Sequence, residues 1–190
     1  MILFRGDDLS VWQGRDGGPA PWQVRDGSLV VAAGSGELQT RAAFSDVHLH
    51  LEFRLPATTD LTVPEQDRGN SGVLLQGQYE VQVLDSFGHS LAGRDDCAAI
   101  SGVRDASSNA AFPAEVWQSF DIVFKAARWR GETKIASARM SVFWNGTEVQ
   151  RNVEIPGTTN GRAERFGPLP LVLEEHAQAV RFRNIWLRAL

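Results

Sequence analysis

Arg68-Gly69-Asn70-Ser71-Gly72-Val73-Leu74-Leu75-Gln76-Gly77-Gln78-Tyr79-Glu80-Val81-Gln82-Val83-Leu84-Asp85-Ser86 is the stretch that decides how this chain folds. Two β-patterned segments lie within it, and Gln76, Glu80 and Gln82 stand among their valines and leucines. Side chains alternate across a strand, so such a segment has one apolar face and one face of amides and carboxylates. The apolar face suits a core. The other suits a surface that holds a polyhydroxylated ligand.

The same period of two extends outward from this run. His48-Leu49-His50-Leu51-Glu52-Phe53-Arg54-Leu55 alternates at every position, which predicts Leu49, Leu51, Phe53 and Leu55 on the core side. Phe120, Ile122 and Phe124 repeat the pattern, and Ser28–Ala32 reads as a strand entered from the turn Asp26-Gly27. Asn145-Gly146 separates Met140–Trp144 from Thr147–Gln150, a strong local hairpin signal. Val180–Leu187 predicts a long closing strand. The best helical candidate, 105–111, is short. Many strands, turn signals between them and no βαβ rhythm predict an all-β, two-sheet antiparallel sandwich. The long irregular stretches 56–67, 87–116, 126–136 and 156–170 are where a ligand end would be built. No repeat or linker divides residues 1–190, which read as one domain.

Composition narrows the function classes. A net charge of −4 offers no basic field for nucleic acid or anionic lipid. Cys97 is the only cysteine, so neither an internal disulfide nor a cysteine-rich zinc site is expected. No segment approaches the roughly 20 apolar residues of a membrane span. Met1–Asp7 lacks the charged and apolar regions of a signal peptide, so the expected location is cytoplasmic as written, or that of a mature periplasmic or secreted form.

Five blocks, in order, resemble the bacterial family named 3-keto-disaccharide hydrolase, formerly a domain of unknown function. They are Leu3–Trp12, Pro21–Leu29, Leu51–Arg54, Arg68–Ser86 and Val180–Trp186. The resemblance runs essentially end to end. It implies a concanavalin A-like lectin/glucanase jelly roll of two curved antiparallel sheets, and cleavage of carbohydrate, with a 3-keto sugar as candidate substrate. Glu174-Glu175-His176-Ala177 stands where the family usually carries a Gln-Asp-His-Gly-type run, and Ser101 where an aromatic is expected.

Glu80, His176 and Asp85 are the candidate catalytic residues. Glu80-Val81-Gln82-Val83-Leu84-Asp85 has the shape of the Glu-x-Asp-x-x-Glu run of sandwich glucanases, with different residues. In an unbroken strand Glu80 and Asp85 point to opposite faces, ~16 Å apart at ~3.3 Å per residue. Glycosidase carboxyl pairs stand ~5–5.5 or ~6.5–9.5 Å apart, so only a bulge would unite these two. A solvated strand face is the plainer reading of Glu80. His176, flanked by Glu174 and Glu175, titrates near neutrality and suits proton transfer; it reads equally as a loop-end histidine. Glu52, Arg54, Arg68, Asn70, Gln76, Gln82, Glu174 and Glu175 form the candidate substrate-binding set, because carboxylates, amides and guanidinium groups match vicinal hydroxyls. For Asn70, turn chemistry is the competing reading; for Glu52 and Arg54, an exposed face. Trp22, Trp117, Trp144 and Trp186 are expected in the core, and Trp12 or Trp129 as a stacking platform.

No metal ligand set is apparent and no cofactor is expected, although lectin-like sandwiches leave room for a structural calcium. The leading expectation is a carbohydrate-active enzyme that abstracts the C2 proton of a 3-keto glycoside and expels the group at C1. It would work downstream of a sugar-oxidising oxidoreductase, since this chain has no dinucleotide-binding fingerprint. The alternative is a non-catalytic carbohydrate-binding module of the same fold.

Overall fold

The alternating run 48–55 forms strand β6 (Val47–Arg54) with every second side chain buried. Leu49, Leu51 and Phe53 are fully enclosed, and burying each contributes about 1.5–3 kcal/mol. The structure, a computed structural model, describes residues 1–58, 62, 64–90, 93 and 95–190.

On one side of β6 lies β9 (Gln118–Lys125), followed by β12 (Ala138–Trp144) and β13 (Thr147–Ile155). On its other side β15 (Arg181–Ala189) leads to β4 (Ser28–Val30) and β3 (Gln23–Arg25), with β1 (Ile2–Phe4) also on β15. The second sheet runs β2 (Trp12–Gly14), β5 (Leu38–Phe44), β14 (Leu169–Leu173), β7 (Ser71–Leu75) and β8 (Tyr79–Val83). All pairings are antiparallel. A hairpin of β10 (Arg128–Arg130) and β11 (Thr133–Ala136) stands apart. Phe53, Phe120, Phe124 and Phe182 from the eight-stranded sheet meet Val73, Tyr79, Val81 and Leu173 from the five-stranded one in a single buried cluster. This is the antiparallel jelly-roll sandwich expected.

The Asn145-Gly146 turn forms the hairpin its residues predict. Asn145 and Gly146 adopt φ of 50° and 79°, the left-handed pair that a two-residue hairpin between β12 and β13 requires. The short piece 105–111 forms no helix; among the described residues the helical element is a single 3-10 turn at Glu65–Asp67. Trp12 is not a platform. It is fully buried, and its indole N–H donates to the Leu3 carbonyl at 2.9 Å. Trp22 and Trp144 are core as expected.

Trp117 and Trp186 are not core. Trp117 lies on the outer face of the eight-stranded sheet, with the Arg183 guanidinium 4.0 Å from its ring centre. Trp186 stacks on His50 at 5.1 Å. The reason is a β-bulge: Asn184 has φ 49°, and the register of β15 with β6 shifts between Arg183 and Trp186. The extra residue inverts the alternation, so Phe182 points inward and Trp186 outward.

Candidate active site

Strands β14, β7 and β8 lie side by side in the five-stranded sheet. Val73 and Val81 face the core, so Gly72 and Glu80 face the opposite, outer side. Glu174, the residue after β14, donates its backbone N–H to the Gly72 carbonyl at 2.9 Å, and Ser71 Oγ donates to the Glu174 carbonyl at 2.7 Å. Glu80 reaches over Gly72 from one flank and Glu174 from the other. A Cβ on Gly72 would sit 2.7 Å from Glu80 Oε1 and 2.8 Å from Glu174 Oε2. Glycine leaves the space in which the two carboxyl ends meet; its backbone angle makes no such demand. The two carboxyl groups hydrogen-bond to each other, and His176 Nε2 lies 3.5 Å from Glu174 Oε2.

The free edge of β8 is covered. Gln82 N–H donates to the Ala99 carbonyl at 3.0 Å, Ala98 N–H to Gln82 at 2.9 Å, and Ser101 N–H to Glu80 at 3.2 Å. Gln150, from β13 of the other sheet, anchors this covering segment: its Nε2 lies 3.1, 3.2 and 3.0 Å from the carbonyls of Ala98, Arg104 and Asp105. The Glu80 N–H is taken by Thr159 Oγ1 at 3.0 Å, from the loop after β13. Glu80 is left 8% exposed.

Enclosure sets the electrostatics. Loss of solvent pushes the Glu80 carboxyl up to about 7, and the negative Glu174 beside it adds to the rise; the Ser101 hydroxyl and His176 oppose it. His176 is raised by its hydrogen bond to Glu174, with burial opposing and the charges of Glu174, Glu80 and Glu175 assisting. The cluster therefore holds a mobile proton near neutral pH, where proton transfer to and from a substrate is most efficient.

Of the expected site residues, Glu80, Glu174 and His176 come together as one cluster. Gln82 joins them on the same outer face, two residues along β8 and opposite Gly72. Its Oε1 accepts the Val83 N–H at 3.0 Å, and its amide nitrogen donates to nothing among the described residues. Glu175 turns away, accepting the Gly34 N–H at 2.9 Å.

The remaining expectations need correction. Asp85 is not in the cluster: β8 pairs with β7 in unbroken register, so no bulge brings it round. It accepts the Phe87 N–H at 3.3 Å and faces another hollow, shared with Glu65, Gln66 and His89. Gln76 lies away from the cluster and acts as a structural clamp. It occupies the β7–β8 turn with φ 56°, and its amide donates to the carbonyls of Phe44 (2.8 Å) and Gly167 (3.1 Å). Asn70 Nδ2 donates to the Gln66 carbonyl at 2.6 Å, which fits its reading as turn chemistry; its buried Oδ1 has no partner among the described residues. Arg68 closes the 3-10 turn, and its carbonyl accepts the Asp85 N–H at 2.9 Å.

Glu52 and Arg54 lie on the opposite exterior, the outer face of the eight-stranded sheet. Glu52 pairs with Arg183 at 2.6 Å and Arg54 with Glu115 at 3.2 Å. On the same face His48 and His50 both approach Asp121, at 3.2 and 2.9 Å. Among the described residues no helix is long and apolar enough to cross a membrane.

The sequence reading missed Gly72 as a site residue because Arg-Gly-Asn-Ser-Gly reads locally as a turn. Ser101 carried a signal, standing where the family has an aromatic. Thr159 and Gln150 carried none.

Solved structures with this architecture are known. A "putative glycosyl hydrolase" from Parabacteroides distasonis superimposes with a TM-score of 0.92 at 34% identity, over 100% of this chain and 83% of that one. A second from the same organism gives 0.71 at 17% identity, covering 99% and 92% of the two chains. A third gives 0.66 at 21%, covering 100% and 98%. No curated protein matches the chain. Residues 2–188 match the family described as the 3-keto-alpha-glucoside-1,2-lyase-like domain. The chain belongs to that family.

Proposed function

We propose that this protein cleaves the glycosidic bond of a 3-keto glycoside by elimination across C1 and C2. The observation that carries this reading is the hydrogen-bonded pair Glu80–Glu174 with His176 beside it. Direct displacement at C1 uses two carboxyls that flank the scissile bond, ~5–5.5 or ~6.5–9.5 Å apart. Carboxyls already in contact leave no room for a sugar between them. They are suited to moving a proton.

A C3 carbonyl acidifies the C2 proton. Glu80, ionised, removes it; the electrons form the C1–C2 double bond and the C1–O bond breaks. The departing oxygen takes a proton from His176, which Glu174 keeps charged. The amide nitrogen of Gln82 donates to the oxygen on which enolate charge develops, a preorganised contact of the kind that dominates many rate enhancements. Addition of water across the double bond completes net hydrolysis. The family description as lyase-like and the glycosyl hydrolase description of the 34%-identical neighbour both support a glycoside-processing role. The ketone is supplied by a sugar-oxidising enzyme acting earlier.

The test is turnover of matched 3-keto and unoxidised disaccharides by wild type and Glu80→Gln in deuterated water. Cleavage of only the keto sugar, with deuterium entering C2 and loss of turnover but not binding in Glu80→Gln, is expected. Tight glycan binding by wild type with neither exchange nor cleavage would instead mark a binding module.

A further inference from the structure

The outer face that carries Glu80 also bears a second hollow, about 590 Å³, lined by Arg15, Arg162 and Arg165 together with Gln39, Gln78 and Asn160. The shared face follows from register. Gln39, Val172, Leu74 and Glu80 are cross-strand partners in one row over β5, β14, β7 and β8, so they point the same way. Pro170 also lines the hollow, and Glu174 stands four residues further along the same side of that strand, ~13 Å away at ~3.3 Å per residue. That span is the reach of a short saccharide.

The charge of this hollow runs against that of the protein. The chain carries −4 overall, yet three arginines line this hollow. Arg15 is paired with Glu37. The guanidinium groups of Arg162 and Arg165 have no partner among the described residues. Glu164, between them in sequence, is committed elsewhere, to the Tyr79 hydroxyl and to Lys134 Nζ at 2.6 Å. The loop that presents the arginines is pinned. Arg165 N–H donates to Gln78 Oε1 at 2.6 Å, Gln78 Nε2 returns to the Arg165 carbonyl at 3.2 Å, and Arg162 N–H donates to Asn160 Oδ1 at 3.2 Å. Thr159 in this same loop holds the Glu80 N–H, so arginines and base are set by one segment.

We propose that this hollow is a subsite for a carboxylate-bearing sugar ring, so that the glycoside processed is an acidic one; the second clause rests on the cleavage reading above. Arginine forks take carboxylates through two parallel hydrogen bonds. The reacting ring must lie against acidic Glu80 and Glu174, which repel an anion. The Pro170 end of the hollow stands ~13 Å from Glu174, beyond the ~8 Å screening length at physiological salt. The arginines offset the charge of Glu80, which lies closer, two residues from Gln78.

The experiment is a chemical-shift titration with glucuronate and methyl glucuronide, against glucose and methyl glucoside, for wild type, Arg162→Ala/Arg165→Ala and Glu80→Gln. The uronates are expected to bind preferentially and to weaken with added salt. They should lose at least about tenfold in affinity in the double arginine variant, as expected for charge-assisted contacts, and bind Glu80→Gln undiminished. Equal binding of uronate and neutral sugar, or wild-type uronate affinity in the double variant, overturns the subsite. Tighter capture of glucose 6-sulfate than of glucuronate overturns the carboxylate assignment. Arginine-dependent uronate binding without cleavage of any keto glycoside leaves the subsite standing and removes the elimination chemistry. Cleavage of neutral keto glycosides without uronate preference does the reverse.

Discussion

Glu80 and Glu174 meet over Gly72, the residue of the intervening strand that puts no side chain between them. Two strands far apart in the chain thus deliver one carboxyl pair, and the strand between them is hollowed to let it form. His176 follows from the same arrangement, because it lies two residues beyond Glu174.

Gly72→Ala is expected to separate the pair. Its Cβ would stand 2.7 Å from one carboxylate and 2.8 Å from the other, so both flexible ends must swing away. The Glu80 proton, held partly by Glu174, should then be released at lower pH. NMR titration of the Glu80 side chain checks this directly. Turnover should fall at least about tenfold, since proton-transfer catalysis of about 10²–10⁴ depends on the arrangement, while the melting temperature changes little.

Stability should decline as pH rises through neutrality. Glu80 is pushed from an ordinary 4.5 to about 7, so the folded state binds its proton more tightly than the unfolded chain does. The stability is present in full below the unfolded value and lost between there and about 7, on the order of 3 kcal/mol. His176, also raised, acts in the same direction, losing its contribution as pH climbs through its folded value. Denaturant unfolding from pH 4.5 to 8 measures the decline; Glu80→Gln should flatten most of it and be the more stable protein at pH 8.

The rate of cleavage should rise as Glu80 ionises, with an acid limb near 7, and fall where His176 loses its proton. In His176→Ala the alkaline limb disappears. The acid limb moves to higher pH, because the positive charge that favoured ionised Glu80 is gone. A pH profile of kcat/KM for both proteins tests this; an unmoved acid limb would count against it.

Gln76→Ala and Glu52→Gln separate structure from chemistry. Gln76, itself buried, makes two hydrogen bonds to carbonyls of distant segments, so its loss should cost about 1–3 kcal/mol in unfolding free energy. The kcat of the folded protein should hold. Glu52→Gln, on the opposite sheet face, should leave kcat/KM unaltered and change stability by less than about 1 kcal/mol.

The chain on its own determined the strands, because period-two burial and the Asn145-Gly146 turn act between near neighbours and need nothing distant to be read. It also placed a carboxylate on a polar strand face at Glu80 and a histidine among acids at Glu174–His176. Parity, however, says only which residues share a face, not what is laid against that face. The bulge at Asn184 turned Trp186 outward, and the Gln76 amide was claimed by carbonyls of distant segments. Folding alone decided that β14 and β8 flank β7, and the whole site rests on that adjacency. Strand order in a sheet is set by long-range packing, and a carboxyl acquires its proton affinity only when such neighbours exclude water from it.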